Sequence, residues 1–580
     1  KKTSIEDTCK RLSRIYRVLG FIETGTNYCK LYKSLINYIF FYFCLMKKKI
    51  IFLILIFISI GCSSYKFTGN PIQINSQKFN NKVSDENLKL FIEKKKEKWS
   101  LLDVNYDGVP GMSVIKAYDE LIKDKSGKKV IVAIIDSGVE IDHPYLSSFI
   151  WINSDEIPNN KIDDDKNGFI DDINGWNFLG KSDKENLEYV RLLKKAGPED
   201  KMREVYQNEI DKAIEKNNKT LGRIRELSMM MIKSDSILKI AMGNKDYSLE
   251  EAKNLTSKSL KVEESIRFLE LAKSNNWSQS RFLDAMDYYE TSNNYHNNLE
   301  FDGREIVGDD PDNFNDKNYG DPNIGDNNSH GTHVSGIVRS ICQDVEIMPI
   351  RCVPDGDEYD KDVALSIRYA VDNGAKIINF SFGKKYSPHT DWVIDAMKYA
   401  SEKDVLIVNA AGNSSSNIDL IENQSYPADN RDGKEFLNNL LTVGASSYNL
   451  DSTQVAYFSN YGSKNVDLFA PGYQVYSSVL DGKFKYLNGT SMAAPNVTGV
   501  AAVIRSFYPK LSAASIKQII MSSGIQMNDK LKQPDSDDIL GRDSFSISGK
   551  TVNLYNALLY ASIYKEKDPE NSLKKFKSKY

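Results

Sequence analysis

Hydrophobic positions follow two periods along this chain. From Val130 to Ile135 the stretch KKVIVAIIDSGV holds an unbroken apolar run closed by an acid, the pattern of a strand buried on both faces of a parallel sheet. Runs of the same kind recur as VEIMPI, AKIINFSFG, DVLIVNAAGN, NLLTVGA and VDLFAPG. Between two of them Val363, Ile367 and Val371 are spaced four apart and Gly374 closes the segment, which predicts a helix with its stop. Strands alternating with helices predict a doubly wound α/β fold with a mostly parallel sheet. Functional residues are then expected beyond the strand C-termini.

The second period occupies residues 181–299. This region is rich in Lys, Glu and Asn, with Tyr206, Ile210 and Ile214, then Leu221, Ile224 and Met231, at helical spacing, and Ser248 with Glu251 forms a capping-box pattern. It predicts an inserted helical subdomain of three to five helices, either a solvated appendage or a partner-binding or gating element. The α/β pattern therefore divides into 98–180 and 300–560. Residues 63–97 are polar, end in EKKKEK and read as a tether. YPKLSAASIKQIIM and TVNLYNALLYA read as the closing helices, and 561–580, ending LKKFKSKY, as a polar tail.

The beginning of the chain has a different character. Residues 1–45 show no domain pattern and read as translated upstream sequence. From Met46 come three lysines, an apolar stretch from Ile50 to Ile60, and Gly61-Cys62. This reads as a secretory signal, since a spanning helix needs about 20 apolar residues, with an uncleaved membrane anchor as the alternative. A cysteine directly after the cut resembles a bacterial lipoprotein signal over 46–62, with Cys62 the lipidated residue, although Ser59 departs from the usual Leu or Val. The expected product is exported and lipid-anchored to a bacterial membrane, with an outer-membrane anchor, periplasm-facing or at the surface, favoured.

The 580 residues are 41% apolar and 27% charged, enough to build large cores. With 79 acidic and 76 basic residues the net charge is -3, which gives no ground for a nucleic-acid partner. A monomer is expected. Beyond Cys62 only Cys342 and Cys352 remain, which is no disulfide framework; they read as two small buried residues, with a single disulfide as the alternative.

Candidate chemistry begins at NGTSMAAPN. Ser491 precedes an apolar, small-residue helix pattern, so it would lie at a helix N-terminus, where unpaired N–H groups favour a developing anion. A serine at a helix start is most often only a cap. As a nucleophile it needs a base, and the base needs an orienting acid. NNSHGTHVSG supplies His330 and His333 in a chain with 5 histidines, and Asp136 supplies a carboxylate at a strand end. Asn413 in NAAGN offers an amide donor for an oxyanion.

With DSGV at Asp136, HGTHVSG at His330, NFSFG at Ser381, AAGN at Asn413 and GTSMAAP at Ser491, the chain resembles the subtilisin-like serine proteases over about residues 98–560 without the insert. The motifs stand in that family's order of acid, histidine and serine. The resemblance implies a subtilisin-type α/β fold and a serine endopeptidase acting on peptide or protein substrates. It implies Ser491 as nucleophile, His330 as general base, Asp136 as its orienter, and Asn413 with the Ser491 amide as the oxyanion hole. Ser381, Phe382 and Gly383 would pair with the substrate backbone, and Ala410, Ala411 and Gly412 would form the other side of the S1 pocket. His333 is expected to be structural, His143 a packing residue, and His296 and His389 surface-loop residues.

Two departures stand out. Acid and base lie 194 residues apart, mostly because of the insert, which must leave and return near the triad and is expected to shade the cleft against large folded substrates. The stretch from Cys62 to Trp99 is also short for a folded propeptide. The alternative function is a catalytically silent relative serving as a binding or scaffold lipoprotein; an esterase or peptide ligase would use the same residues.

DDDKNGFIDDINGWNF forms a second constellation. Asp163, Asp165, Asn167 and Asp171 occupy positions 1, 3, 5 and 9 of a loop with Gly168 at 6, resembling an EF-hand Ca²⁺ loop, but position 12 is Asn174 instead of glutamate. A structural Ca²⁺ is expected there; a solvated acidic turn is the plain alternative. GDDPDNFND is acidic but lacks the spacing of a site.

Overall fold

The computed structural model describes residues 65–73, 95–256, 258–431 and 434–579. Cys62, the signal segment 46–62 and residues 1–45 lie outside the described residues. The fold belongs to the unit Lys66–Tyr580.

Its centre is a nine-stranded sheet in the order β12-β15-β9-β8-β5-β4-β1-β3-β2. The strands are β1 (Val130–Asp136), β2 (Trp176–Asn177), β3 (Val345–Arg351), β4 (Ile377–Phe380), β5 (Leu406–Ala410), β8 (Leu440–Ser446), β9 (Leu468–Pro471), β12 (Ile525–Gln526) and β15 (Lys550–Thr551). All neighbours run parallel except β12 and β15. Among the described residues three two-stranded ribbons accompany it: β6 (Asn430–Arg431) with β7 (Lys434–Glu435), β10 (Val475–Val479) with β11 (Lys483–Leu487), and β13 (Lys530–Lys532) with β14 (Ile539–Gly541). Because β3 and β4 flank β1 on opposite sides, the strand order reverses at β1, so its C-terminal end opens into a crevice. Asp136 is the last residue of that strand.

The unbroken apolar runs are explained by helices on both faces. Ala133 and Ile135, Met348 and Ile350, and Ile378 and Phe380 pack beneath α7 (Asp360–Asp372) and α8 (Thr390–Glu402) through Val363, Ile367, Ala396 and Met397. The opposite face, which carries Val132, Ile134 and Asn379, lies under α9 (Thr490–Phe507), with α6 (His330–Ile341) packed alongside. Each strand is thus buried on both sides, as a parallel sheet requires.

The insert forms five helices: α1 (Glu188–Lys195), α2 (Arg203–Ala241), α3 (Leu249–Lys253), α4 (Leu260–Ser274) and α5 (Gln279–Thr291). Its 39-residue α2 is about 60 Å long. Leu238, Ala252, Val262 and Ile266 build one small core, and Val190, Leu193 and Ile210 another, with Tyr206 and Ile214 against it. Ser248 and Glu251 form the reciprocal capping box that starts α3.

The structure corrects some expectations and meets others. Part of the tether over 63–97 is fastened to the fold. Phe67 is buried edge-on to Phe507 and Tyr508, and Ile72 exchanges both backbone hydrogen bonds with the Asn556 amide in α11 (Leu554–Ala561). A polar composition hid two well-placed apolar residues. The tail over 561–580 contains α12 (Pro569–Lys579), whose Phe576 is buried against Tyr560. His296 is also buried, bonded to Asp355 at 2.9 Å. His389 precedes α8, stacks on Trp392 and bonds to Asp312 at 2.8 Å. The acidic stretch GDDPDNFND carries Asp309, whose side chain is buried and paired with Arg304 and Lys361. Cys342 and Cys352 are free and buried, and burial pushes the Cys342 thiol up to about 12, so both are packing residues.

Candidate active site

Each group of the site sits at the end of a rigid element. Asp136 ends β1 and is almost fully buried; its Oδ1 accepts hydrogen bonds from the Ser137 amide at 2.8 Å and from His330 Nδ1 at 2.7 Å. His330 is the first residue of α6. The loop before it is held by Asp326, whose carboxylate accepts from Ser137 Oγ, the Asn328 amide and both the Thr332 amide and hydroxyl. Gly331 is required here, since a side-chain carbon would come within 2.0 Å of the Gly138 carbonyl and 3.2 Å of Asp136. The second motif residue therefore lets the histidine helix abut the end of β1. Asp326 was not singled out in the sequence; its only signal was its place four residues before the histidine motif.

Two histidines in one motif acquire opposite chemistry. Burial works against the imidazolium of His330, but the Asp136 charge and hydrogen bond, with Asp326 behind, hold it above the ordinary histidine value. At His333 burial wins and lowers the value to about 4, so the ring is neutral at physiological pH, with Nε2 bonded to the Lys485 carbonyl at 3.1 Å. His333 thus ties α6 to the β11 ribbon. His143 does similar work: its Nδ1 accepts from the Tyr145 amide, so Nε2 carries the proton towards the Lys483 carbonyl.

Ser491 is the second residue of α9. Its Oγ donates to the Ser381 carbonyl at 3.0 Å, and Ser381 Oγ donates back to the Ser491 carbonyl at 2.9 Å. Among the described residues Ser491 Oγ makes no hydrogen bond to His330. Gly489, at φ +156°, makes the close turn before the serine; a side-chain carbon there would lie 3.5 Å from the Ser491 amide nitrogen and 3.6 Å from Asn413 Nδ2. Both donors therefore border one small open space. The Asn413 side chain is oriented from its other end, where Oδ1 accepts from the Thr490 amide at 2.8 Å and hydroxyl at 3.0 Å. Thr490, beside the serine, is a positioning residue the sequence reading passed over.

A cavity of about 370 Å³ opens next to Ser491, lined by Ser381, Phe382, Gly383, Ala410, Gly412 and Asn413, among others. Among the described residues the Phe382 and Gly383 amides have no hydrogen-bond partner, so this edge is open to an added strand. Ala411 departs from the expected set. It packs with Tyr461, Val466 and Phe469 on the other side of its segment, because consecutive side chains of an extended chain face opposite ways.

The acidic loop closes on a different group of carboxylates from the one its spacing predicts. Oxygens of Glu156, Asp165 and Asp172 lie within 4.8 Å of one another. Asp163 instead accepts from the amides of Asn167 and Gly168, and Asp171 from those of Asn160 and Lys161. Asn167 bridges Asp165 and Asp172, while Asn174 binds the Trp151 carbonyl. The loop folds back on the segment 151–156 through the Asn153 and Ile173 pairing, which brings in an acid from upstream that spacing within the loop does not reveal. Asp172 is fully buried, and burial raises its carboxyl despite hydrogen bonds from Tyr369, Asn167 and Asn153. Three converging carboxylates, two of them buried, fit a hard divalent cation such as Ca²⁺.

A model described as the Subtilase family matches residues 127–542. The chain is 33% identical over 244 residues to a thermophilic serine proteinase of Bacillus sp. (strain AK1), covering 40% of this chain and 53% of that protein. It is 30% identical over 244 residues to thermitase of Thermoactinomyces vulgaris, covering 40% and 76% respectively. A solved structure described as a cold adapted subtilisin-like serine proteinase shares 27% identity, covering 40% of this chain and 78% of that one, with a TM-score of 0.32. The chain spans about half the length of the first of these relatives. A match that runs from before β1 to beyond β14, through every element carrying the site, makes the chain a member of the Subtilase family.

Proposed function

We propose that this chain is a serine endopeptidase that hydrolyses peptide bonds of polypeptide substrates through an acyl-enzyme on Ser491. The observation that carries the reading is the pairing of His330 with the buried Asp136 at 2.7 Å, together with two amide donors bordering one space beside Ser491. Ser491 Oγ turns from the Ser381 carbonyl towards His330 Nε2, gives up its proton there and attacks the scissile carbonyl. Negative charge on the carbonyl oxygen is met by Asn413 Nδ2 and the Ser491 amide at the start of α9, donors that are held in place before the charge develops. His330 then passes the proton to the leaving amine, and water repeats the sequence in reverse to free Ser491.

We place Ca²⁺ at Glu156, Asp165 and Asp172 as a structural ion with no part in these steps. The lipoprotein-like segment supports export and attachment to a bacterial membrane, with the outer membrane favoured, through a lipid on Cys62. One feature favours the silent-scaffold alternative: the hydroxyl of Ser491 is engaged by Ser381, not by His330.

The test is labelling with a fluorophosphonate, which esterifies only an activated serine, in membrane and soluble fractions, with casein turnover in parallel. The wild type should label in the membrane fraction and cleave casein; Ser491→Ala and His330→Ala should lose both, and Cys62→Ala should move the label to the soluble fraction. An unlabelled wild type defeats the enzyme reading, and membrane retention of Cys62→Ala defeats the anchor.

A further inference from the structure

Resting on the protease reading, the charge balance of the cavity beside Ser491 narrows the substrate. Three charged residues line it: Lys384, Lys385 and Glu422. Both cations are compensated from outside. Lys384 is buried, with Nζ 2.8 Å from Glu188 of α1 and 2.9 Å from Asp360. Lys385 Nζ lies 2.6 Å from Glu209, a residue of the long insert helix α2. Glu422, in the turn Ile421–Asn423, is exposed and has neither a hydrogen bond nor an ion pair for its carboxylate among the described residues. The insert, together with Asp360, therefore cancels the positive charge of the wall and leaves one negative charge uncompensated.

The remaining chemistry of the cavity agrees with that sign. Asn423, Gln424, Ser425 and Ser416 present amide and hydroxyl oxygens able to accept from a cationic head group, while Phe382 and Ala410 offer apolar surface to an alkyl stem. A volume of about 370 Å³ accommodates an extended lysine or arginine side chain. We propose that the enzyme prefers polypeptides with lysine or arginine on the acyl side of the scissile bond. Glu422 is the specificity-determining residue, and Glu209 positions Lys385 so that it does not repel the substrate.

Peptides identical except at that position, with Arg, Lys, Leu, Phe or Glu, test this through kcat/KM on wild type, Glu422→Gln and Glu209→Gln. The wild type should favour Arg and Lys. In Glu422→Gln the Arg to Leu ratio should fall about fivefold, the scale of one exposed charge pair, chiefly through KM. Glu209→Gln frees Lys385 and should raise turnover of the Glu peptide relative to Leu, a change that a merely structural role would not produce. A wild type that prefers Leu or Phe, or a Glu422→Gln variant with an unchanged ratio, overturns the inference while the protease reading stands. If no peptide is cut and fluorophosphonate does not label Ser491, the protease reading itself fails and takes the inference with it.

Discussion

At the scale of single residues, the two histidines of HGTH show how a motif's meaning is set by what surrounds each ring. They stand three residues apart on α6. Burial opposes charge on both, but only His330 faces a carboxylate. A general base must be neutral to accept the serine proton, so kcat/KM should rise with pH through a value above the ordinary histidine pKa of about 6.5. In Asp136→Asn that acidic limb should move to lower pH, since the charge that raises it is gone. The rate should also fall by about 10⁴, because the ring is no longer held in the right tautomer. A pH profile of peptide turnover checks both, and a limb that does not move in the variant contradicts the pairing. The raised value also stabilises the fold below the unfolded pKa, and this is lost as pH rises through the folded one. His333 acts in the reverse sense. Its value of about 4 means the unfolded chain binds more protons between about 4 and 6.5, so its burial costs stability as pH falls through that window.

At the scale of elements, the loop 151–174 is where any dependence on calcium would arise. Without an ion, three carboxylates gathered within 4.8 Å repel one another, so the loop gains most from a bound cation. Adding Ca²⁺ at about 100 times its dissociation constant should stabilise the protein by about 3 kcal/mol, read as a rise in Tm that chelator reverses, and Glu156→Gln should abolish the increment. A Tm indifferent to Ca²⁺ in the wild type rules the site out. The same loop shows what a sequence can and cannot disclose. Asp136, His330, Asn413 and Ser491 were legible because each belongs to a short motif attached to a strand end or a helix start, so local pattern and tertiary position coincide. The doubly buried strands were legible for the same reason, as continuous apolar runs. Glu156 was not, because it joins the loop through a tertiary return of the chain. Phe67 and Phe576 escaped notice as single apolar residues in polar surroundings, whose burial depends on partners hundreds of residues away, or on another helix.

For the whole molecule, the question is whether the insert is an appendage or an integral part of the fold, and its joint makes that testable. Glu188 of α1 is buried between Arg191 and Lys384, and Lys384 directly follows the unpaired edge Ser381–Gly383 and pairs its backbone with Tyr426. Tyr206 of α2 meets Tyr386 edge-on at 5.5 Å. Burial would raise the Glu188 carboxyl, but Arg191 and Lys384 outweigh it and hold it at about 2. Its stabilising contribution is therefore present above the unfolded glutamate value and is lost as pH falls towards about 2. Removing the carboxylate leaves buried Lys384 with Asp360 and buried Arg191 with Glu185 at 3.9 Å, a net loss of one anion shared by two cations, so Glu188→Ala should cost about 3 kcal/mol at neutral pH, and less near pH 3. Glu188→Gln with Lys384→Met, which removes one cation together with the anion and keeps similar volume, should cost much less. Because the lost anchor lies next to Gly383, Glu188→Ala should also raise KM for long peptides that lie along the edge, more than for a minimal ester that reaches only Ser491. Denaturant unfolding of the variants at two pH values, with KM for both substrates, decides the matter. If Glu188→Ala cost nothing and left both KM values alone, the insert would be a detachable appendage. The expected losses would make the Glu188–Lys384 joint a part of the substrate groove.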